Sequence, residues 1–415
     1  MRDRLGIGIV GAGFMARFHL QSFVGVRNAD IVGITSRTME RAESAAALAR
    51  GLGIGDTRAY ASVKDLVTAP GVDAVWIVAP NFTRLETMRE IAKYGKGKLI
   101  GVACEKPLGR NAREAVEMLQ LVESMGIPNG YLENQVFMPS VTRGKEIVWG
   151  RGARTTGRPY LARCAEEHSG PHEPWFWSGA QQGGGVLNDM MCHSIEAARF
   201  LVTEPGKSRD SVRPKTVNGE IATLKFSRKE YIERLKRDFG VDYARAPAED
   251  FARASVTWQA EGGEPIVTEC TTSWSFVGPG LRLSLEVMGP EYYMQGASLN
   301  NHLEVFFSRR VTGKAGEDLV EKQNAEQGLM PVVPDEAGEY GYVAENRHMV
   351  EAFRKGERPS ETFADGVEVT RLLMACYKSA EEGKKLTWPI AGLDDYVPAP
   401  ARETYTSTDL FRGAK

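Results

Sequence analysis

Gly8-Ile-Val-Gly11-Ala-Gly13-Phe-Met-Ala16 stands between a short apolar run, Leu5–Val10, and an amphipathic run, Phe14–Val26. Its two later glycines and closing alanine suit a tight turn, a close approach of the backbone to a phosphate, and close packing of a helix on a strand. A strand, such a turn and a helix in this order predict a dinucleotide-binding turn at a helix N-terminus. The residues that we expect to contact the dinucleotide here are Gly11, Gly13, Phe14 and Met15.

The first third of the chain alternates short apolar runs with longer amphipathic ones. The apolar runs predict strands at Leu5–Val10, Asp30–Thr35, Asp73–Val78, Lys98–Cys104 and Gly130–Glu133. The amphipathic runs predict helices at Phe14–Val26, Thr38–Arg50, Thr83–Tyr94, Ala112–Met125 and Val141–Trp149. Apolar strands that alternate with helices predict a doubly wound parallel sheet, covered by helices on both faces. We expect this α/β Rossmann domain at residues 1–135.

From about residue 136 the pattern becomes rich in β-strands. Strands are predicted at Tyr160–Glu166, Thr216–Phe226, Ala252–Gln259, Ile266–Ser275, Leu281–Met288, Tyr292–Ala297 and Leu303–Ser308. Their alternation predicts a large, mostly antiparallel sheet with one open face that exposes Val, Thr, Trp and Leu side chains. We expect this α+β domain at residues 136–390.

Four segments depart from the strand pattern. The charged stretch at about 203–250 reads as an insertion, and its part Arg228–Gly240 as a solvated helix or an oligomer contact. The polar stretch 313–341 reads as a loop. Two helices, Tyr342–Arg354 and Asp365–Glu382, close the domain. A C-terminal tail, 391–415, either packs as an arm or stays mobile.

The composition is that of a globular chain with two or three domains. Of 415 residues, 42% are hydrophobic and 26% charged, and the net charge of -2 gives no reason to expect a nucleic-acid or membrane partner. No run approaches the roughly 20 apolar residues of a membrane helix. Scattered thiols favour a reducing, cytoplasmic compartment; the five cysteines are Cys104, Cys164, Cys192, Cys270 and Cys376.

The end of the second strand bears on the choice of cofactor. An acidic residue there would bind the ribose 2′-hydroxyl of NAD, but Thr35-Ser36-Arg37-Thr38 contains none, and the first acid is Glu40. Ser36 and Arg37 can hold a 2′-phosphate, which favours NADP over NAD. Alternatively, Arg37 stacks on the adenine and either cofactor binds.

Two further motifs make a family resemblance specific. Glu105-Lys106-Pro107 follows the strand Lys98–Cys104, and Gly183-Gly-Gly-Val-Leu-Asn-Asp189-Met-Met-Cys-His193 comes later. Together with the glycine turn and Pro80-Asn81, these resemble the Gfo/Idh/MocA family over residues 5–200 and 250–390. The resemblance implies NAD(P)-dependent oxidation or reduction of a hydroxyl-bearing carbon on a sugar, an inositol or a related polyol. It also implies a cis peptide bond before Pro107 and cofactor contacts from Pro80, Asn81, Glu105 and Lys106.

The chain departs from the family pattern at two places. The family often has His where Arg84 stands, and many members carry an Arg in the stretch that here reads Glu133-Asn134-Gln135. Both departures weaken the transfer of any particular substrate from the family to this chain.

Three residues are the candidate catalytic and substrate-binding groups. His193 lies four residues after Asp189, so the two share one face of a helix. We expect His193 to be the general acid/base, because an imidazole titrates near neutral pH, and Asp189 to bind a neighbouring hydroxyl. The alternatives are a structural Asp–His pair or, less favoured, a zinc site. Lys106, at the carboxyl end of a parallel strand, is expected to stabilise charge on the reacting oxygen, although a plain surface lysine is the alternative.

An aromatic stretch contains Trp175, Phe176 and Trp177. The rings of Trp175 and Trp177 suit a wall that stacks on a sugar, and packing in a core or subunit interface is the equal alternative.

The sequence thus predicts a cytoplasmic NAD(P)-dependent oxidoreductase for a sugar or polyol, with no metal. The alternative enzyme class is a lyase or glycoside hydrolase that recycles a bound NAD through a keto-sugar. A non-catalytic sensor is a third reading, disfavoured because Lys106, Asp189 and His193 are all present. The open sheet and the resemblance both predict a homodimer or homotetramer. If the insertion or the tail covers the sheet, a monomer is expected instead.

Overall fold

A computed structural model describes residues 4–278, 280–298, 304–307, 328–331 and 333–407. The chain divides into two compact units. The first comprises Met1–Met138 and Ala337–Thr370, and the second Pro139–Glu336 and Arg371–Lys415. Each unit has its own sheet and its own buried core.

The sheet of the first unit has six strands, all parallel to their neighbours, in the order β3-β2-β1-β4-β5-β6. The strands are β1 (Leu5–Val10), β2 (Ala29–Thr35), β3 (Arg58–Tyr60), β4 (Ala74–Ile77), β5 (Gly101–Glu105) and β6 (Asn129–Leu132). The doubly wound parallel sheet predicted from the sequence is confirmed. Its strand order reverses between β1 and β4, which is where such sheets bind dinucleotides.

Five helices connect these strands: α1 (Phe14–Phe23), α2 (Met39–Gly51), α3 (Val63–Thr68), α4 (Asn81–Gly95) and α5 (Ala112–Met125). Side chains of α3, α4 and α5, including Leu66, Met88 and Met118, pack on the strands in one fully buried core. The sequence did not predict β3 and α3, because a half-exposed strand of three residues and a helix of six carry too short a pattern.

The second unit is built on a mostly antiparallel sheet in the order β12-β11-β7-β10-β9-β8-β15, as expected. Among the described strands of this second sheet, the β7–β10 pair is parallel and the other neighbouring pairs are antiparallel. The strands are β7 (Leu161–Glu167), β8 (Val212–Ala222), β9 (Phe251–Ala260), β10 (Pro265–Ser273), β11 (Arg282–Gly289) and β12 (Tyr292–Ala297), with β13 (Glu304–Phe307) and β14 (Gly328–Pro331) as a separate pair, and β15 (Leu386–Thr387).

The remaining helices are α6 (Pro139–Ile147), which continues into a π-helical turn at Val148–Ala153, then α7 (Arg154–Thr156), α8 (Gly179–Gln182), α9 (Val186–Val202), α10 (Lys229–Phe239), α11 (Glu336–Glu339), α12 (Tyr342–Lys355) and α13 (Phe363–Glu382). Short 3₁₀ turns occur at Asn134–Phe137, Pro174–Trp177, Arg209–Ser211 and Leu393–Asp395. No helix in the described ranges has both the length and the apolar character needed to cross a bilayer.

Helix α9 lies against β7 and β10 and is almost entirely buried. Side chains alternate across a strand, so the buried Ala162 and Cys164 of β7 face one side and Arg163 the other. The expectation of an apolar open face is wrong. That face carries ion pairs, with Arg163 Nε 2.6 Å from an oxygen of Glu269 and Arg253 Nη2 2.7 Å from one of Glu220.

The interpretation of 203–250 as an insertion is also corrected. Strand β8 pairs antiparallel with β9 along its whole length, so residues 212–222 belong to the sheet and residues 223–250 connect the two strands. The charged helix predicted there is present as α10, with Leu235 as its buried residue. Within the stretch 313–341 that was predicted as a loop, the structure has β14 and α11, and residues 313–327 and 332 lie outside the described residues. The tail packs as an arm as far as Tyr405, which is buried and whose hydroxyl oxygen lies 3.2 Å from Thr223 Oγ1.

Candidate functional site

The glycine turn has the geometry that a dinucleotide requires. Gly11 adopts a φ of 118°, and a Cβ there would lie 2.9 Å from the carbonyl carbon of Val78. The neighbouring Gly13 ends the turn before α1, and a Cβ on it would meet nothing within 4 Å. Ala16, the third small residue, is fully buried. The turn therefore leaves open space at the helix N-terminus, which fits a pyrophosphate.

The side chains at the end of β2 become exposed one after another. Thr35 is buried, Ser36 is half-buried and Arg37 is exposed. Thr38 then caps α2 by accepting a hydrogen bond from the N–H of Arg41. Ser36 and Arg37 thus lie on the rim beside the glycine turn, where the ribose end of a dinucleotide is expected in this fold.

Pro80 and Asn81 form the start of α4 at the end of β4. Pro80 precedes the helix and Asn81 is its first residue, with only 2% of its surface exposed. The hydroxyl of Thr83 donates to the carbonyl of Pro80 at 2.8 Å and tightens this turn. Since β4 lies beside β1, these residues follow a strand next to the one that leads into the glycine turn.

Arg84, one of the departures from the family pattern, is buried and serves the turn after β5. Its Nε donates to the carbonyl of Ala79 at 2.8 Å, and its Nη1 donates to the carbonyl of Glu105 at 2.8 Å and to that of Pro107. One guanidinium therefore joins the end of β4 to both sides of Lys106. The sequence showed that Arg84 was unusual but gave no sign of these partners.

Glu105 ends a chain of buried hydrogen bonds. Trp76 Nε1 donates to Asn346 Oδ1 at 2.8 Å, which orients the amide so that its nitrogen faces His19 Nδ1 at 3.0 Å. Because an amide nitrogen only donates, His19 Nδ1 accepts, and Nε2 carries the proton that bonds Glu105 Oε1 at 2.8 Å. The sequence did not predict this chain.

The environment of Glu105 favours its ionised form. Burial alone would raise the pKa of this carboxyl, but the hydrogen bond from His19 opposes that effect. The positive charges of Lys106 and Arg84 act in the same direction as His19, and the net result is a pKa below the ordinary value. The second oxygen of Glu105 accepts the backbone N–H of Lys106 at 3.0 Å.

Lys106 is half-buried directly after β5, as the sequence placed it. The peptide bond between Lys106 and Pro107 is cis, as the resemblance implied. Arg84 and Glu105 fix the backbone around this lysine, so its ammonium projects from a constrained turn at the carboxyl end of a parallel strand.

In the second unit, Asp189 and His193 lie on α9, four residues apart, as expected. They are 5% and 4% exposed, respectively. One oxygen of Asp189 accepts a hydrogen bond from Trp274 Nε1 at 3.3 Å. Trp274, just after β10, therefore belongs to the surroundings of the candidate site, although the sequence did not single it out.

The two tryptophans of the aromatic stretch have different environments. Trp177 is 2% exposed and its ring contacts those of Phe226, Tyr243 and Trp274 at centroid distances of 4.6, 5.8 and 5.1 Å. This supports the packing alternative for Trp177 over a direct contact with a sugar. Trp175 is half-buried and stacks on Phe176, with the ring centroids 3.7 Å apart, so it keeps an accessible edge.

Two family models match the chain and together cover more than half of it. One, described as "Oxidoreductase family, NAD-binding Rossmann fold", matches residues 5–128. The other, "GFO/IDH/MocA C-terminal domain", matches residues 152–292, including the segment that the sequence resemblance left out. The chain belongs to the Gfo/Idh/MocA family.

Several curated relatives are oxidoreductases of sugars and polyols. The chain is 30% identical over 202 residues to 1,5-anhydro-D-fructose reductase of Ensifer adhaerens, which covers 48% of this chain and 56% of that protein. It is 23% identical over 412 residues to D-apiose dehydrogenase of Paraburkholderia graminis, which covers 97% and 94%. The alignments to the reductase and to the rhizopine catabolism protein MocA of Rhizobium meliloti span under two thirds of those relatives, at 56% and 64%.

A solved structure shows the same fold over nearly the whole chain. GenD2 from gentamicin A biosynthesis, solved in complex with NAD, has a TM-score of 0.75 at 23% sequence identity and covers 94% of this chain and 97% of its own. This likeness concerns the arrangement of the helices and strands.

Proposed function

We propose that this protein is an NAD(P)-dependent oxidoreductase that transfers a hydride between a nicotinamide cofactor and a sugar, an inositol or a related polyol. The observation that carries the proposal is Lys106, held by Arg84 and Glu105 at the carboxyl end of β5 in a sheet with a dinucleotide-type glycine turn. The printed activities of the relatives, reduction of anhydrofructose and oxidation of inositol or apiose, support the same class of substrate.

A nicotinamide cofactor, when bound, would supply the hydride acceptor for the carbon that bears the reacting hydroxyl. His193 removes the hydroxyl proton, and in the reverse direction it returns the proton to the carbonyl oxygen. Lys106 donates a hydrogen bond to the same oxygen and stabilises the charge that develops there. Asp189, held by Trp274, binds a neighbouring hydroxyl. Trp175 is the aromatic residue proposed to contact the sugar ring, whereas Trp177 packs against Trp274, which in turn bonds Asp189.

The contacts proposed for the cofactor are those of the first unit: Gly11, Gly13, Phe14, Met15, Ser36, Arg37, Pro80, Asn81, Glu105 and Lys106. The family description supports NAD as a cofactor. We further propose that NADP is preferred, because Arg37 is exposed beside Ser36 and no acid precedes Glu40. Calorimetric titration with NADP and NAD tests this preference. We expect Arg37→Ala to weaken the binding of NADP more than the binding of NAD.

The enzyme is proposed to act as a homodimer or homotetramer through the open face of the second sheet. The charged pairs on that face, Arg163 with Glu269 and Arg253 with Glu220, offer both signs of charge to a second copy. A cytoplasmic location is proposed from the scattered thiols, all five of which are buried free cysteines.

The test is turnover of NAD(P)H, followed by its absorbance, with inositols, aldoses, anhydrosugars and their keto forms. Stoichiometric formation or loss of the reduced cofactor with one of these compounds is the expected result. Conversion of a sugar without any net change in absorbance would instead show chemistry with a recycled cofactor. Tight cofactor binding with no conversion of any compound would favour a sensor.

A further inference from the structure

The helix that carries Asp189 and His193 begins without a capping side chain of its own. Gly185 precedes α9, and the preceding Gly184 has a φ of 150°. The first N–H groups of a helix have no partner within the helix and need an acceptor when they are buried. Val186, Leu187 and Asn188 are fully buried, so water cannot serve this end.

Two side chains from distant parts of the chain supply the acceptors. Glu249 Oε1 accepts the N–H of Gly185 at 2.8 Å and that of Leu187 at 3.1 Å. The hydroxyl oxygen of Tyr377 lies 3.1 Å from the N of Gly185 and accepts the N–H of Asn188 at 3.2 Å. Tyr377 in turn donates its proton to Glu249 Oε1 over 2.5 Å. The helix N-terminus is thus bound to one connected pair.

The triple-glycine motif fits around this pair. A Cβ on Gly184 would lie 1.9 Å from the hydroxyl oxygen of Tyr377, and one on Gly185 would lie 2.2 Å from the backbone oxygen of Glu249. The carbonyl of Glu249 also accepts the N–H of Val186. The motif therefore lets the backbone come close enough for Glu249 and Tyr377 to reach the N–H groups of α9.

We propose that Glu249, with Tyr377, is a positioning residue for the reaction: it fixes the start of α9 and thereby the placement of Asp189 and His193. Asp189 is one turn from the N–H groups that Glu249 holds, so a shift of this end moves the candidate catalytic groups directly. The inference rests on the proposed function for its effect on turnover, and on the helix itself for its effect on structure.

The N–H groups at the start of α9 need only an acceptor oxygen from residue 249, and that oxygen can belong to an uncharged group. Burial raises the pKa of Glu249 to about 7, although hydrogen bonds from Tyr377 and from backbone N–H groups oppose the rise. The nearby Tyr243 is also titratable, and burial together with the charges of Glu249 and Asp250 raises its pKa. Glu249→Gln keeps an acceptor oxygen in place, whereas Glu249→Ala removes it.

The neighbouring Asp250 offers a matched control. It is a buried carboxylate as well, but it accepts the N–H groups of Leu224, Lys225 and Phe226, which lie outside α9. Asp250→Asn therefore disturbs the same dipeptide without touching the helix that bears the catalytic groups.

The experiment compares kcat, the KM for the cofactor and amide hydrogen exchange at Leu187 and Asn188 in the full-length variants. Glu249→Ala and Tyr377→Phe are expected to lower kcat by about 10- to 100-fold, to speed exchange at both amides, and to leave the KM for the cofactor within about two-fold. Glu249→Gln is expected to restore most of kcat, and Asp250→Asn to retain it.

Folded Glu249→Ala and Tyr377→Phe proteins with unchanged kcat would overturn the inference, and so would an equal loss of kcat in Asp250→Asn. If Glu249→Ala does not fold, the kcat and the amide exchange rates of Tyr377→Phe and Glu249→Gln test the inference in its place. If the unmodified protein turns over no sugar, the proposed function fails. The exchange rates at Leu187 and Asn188 then still decide whether the pair holds the helix, and unchanged rates would overturn it.

Discussion

His19 donates a hydrogen bond from Nε2 to Oε1 of Glu105 over 2.8 Å, and neither residue is more than 3% exposed. The direction of this bond follows from Asn346, because its amide nitrogen donates a hydrogen bond to the other imidazole nitrogen of His19, Nδ1. A buried carboxylate beside the proposed catalytic lysine is therefore kept charged with the help of a hydrogen bond from His19 of α1, the helix that follows the glycine turn. This contact joins the helix that follows the glycine turn to the end of the strand that leads into Lys106.

His19→Ala should destabilise the protein by about 2–4 kcal/mol at neutral pH, because it leaves a buried charge without its partner. The pKa of Glu105 lies below its ordinary value in the folded protein, so its charge stabilises the fold above about pH 4.5 and this contribution is lost on acidification. In the variant that pKa rises, and the difference in unfolding free energy from the wild type should shrink as the pH falls. Urea unfolding at pH 7 and near pH 4.5 measures both values.

Glu105→Gln provides the reference for that experiment. In a protein that already carries Glu105→Gln, the loss of unfolding free energy caused by His19→Ala should no longer depend on pH over this range. If His19→Ala lowers the unfolding free energy of the otherwise wild-type protein equally at both pH values, the histidine contributes packing but does not stabilise the charge of Glu105.

Arg84→Met should lower kcat/KM by about 10²-fold, because the turn that holds Lys106 loses three hydrogen bonds to backbone carbonyls. Unfolding free energy should fall by about 2–4 kcal/mol, at about 1 kcal/mol for each bond. Arg84→Lys should recover little of the activity, since an ammonium cannot span the three carbonyls as a planar guanidinium does. Steady-state kinetics and urea unfolding provide the two measurements.

Arg89 on the same helix is the control for Arg84. It is about half exposed and pairs with Glu86 and Glu117 on the surface. Arg89→Met should leave both the unfolding free energy and kcat/KM nearly unchanged, because exposed ion pairs contribute little to stability. Wild-type kcat/KM in a folded Arg84→Met protein would show that the turn keeps its shape without the guanidinium.

Lys106→Ala should abolish most turnover while the protein still binds the dinucleotide, because the charge on the reacting oxygen loses its donor. Lys106→Arg should not restore turnover, since the guanidinium is broad and planar where a compact ammonium is needed. Fluorescence titration with NADH or NADPH, alongside kcat, separates binding from chemistry. A fully active Lys106→Arg enzyme would remove this residue from the proposed chemistry.

His193→Ala should reduce kcat/KM by about 10²–10⁴ with nearly unchanged affinity for the dinucleotide. The variant should also lose the limb of the pH profile that reports the general base. Cys192→Ser, a change at the neighbouring buried position, should retain that limb. Loss of cofactor affinity and folding together in His193→Ala would identify the histidine as structural.

The parts of the fold that have a local sequence pattern could be predicted from the sequence. The glycine turn, the parallel strands and α5 follow from short periodic segments, and α5 has the predicted bounds Ala112–Met125. The polarity of the open sheet face was predicted wrongly, because alternation shows that two faces differ but not which one α9 covers. The face opposite α9 has Arg163 and Glu269, whereas the apolar side chains lie under the helix.

The contacts that hold the candidate site were beyond the reach of sequence patterns. Glu249 is 64 residues from Gly185, and Asn346 is 327 residues from His19. No periodicity links such positions, since each pair depends on how separate segments meet in the folded unit. Lys106, Asp189 and His193 were predicted as site residues because they stand within recognisable motifs, whereas the residues that contact them do not.

The open face of the second sheet should associate two copies of the chain. Arg163 lies between Glu269 and Glu286 on that face, and Arg163→Glu would place three carboxylates together. The variant should raise the dissociation constant of the dimer by at least about 10-fold. Arg143→Glu, at an exposed position on α6 outside the sheet, should leave association unchanged. Analytical ultracentrifugation at micromolar concentration is the measurement, and a 45.6 kDa species for the wild type at both low and high salt would refute the dimer.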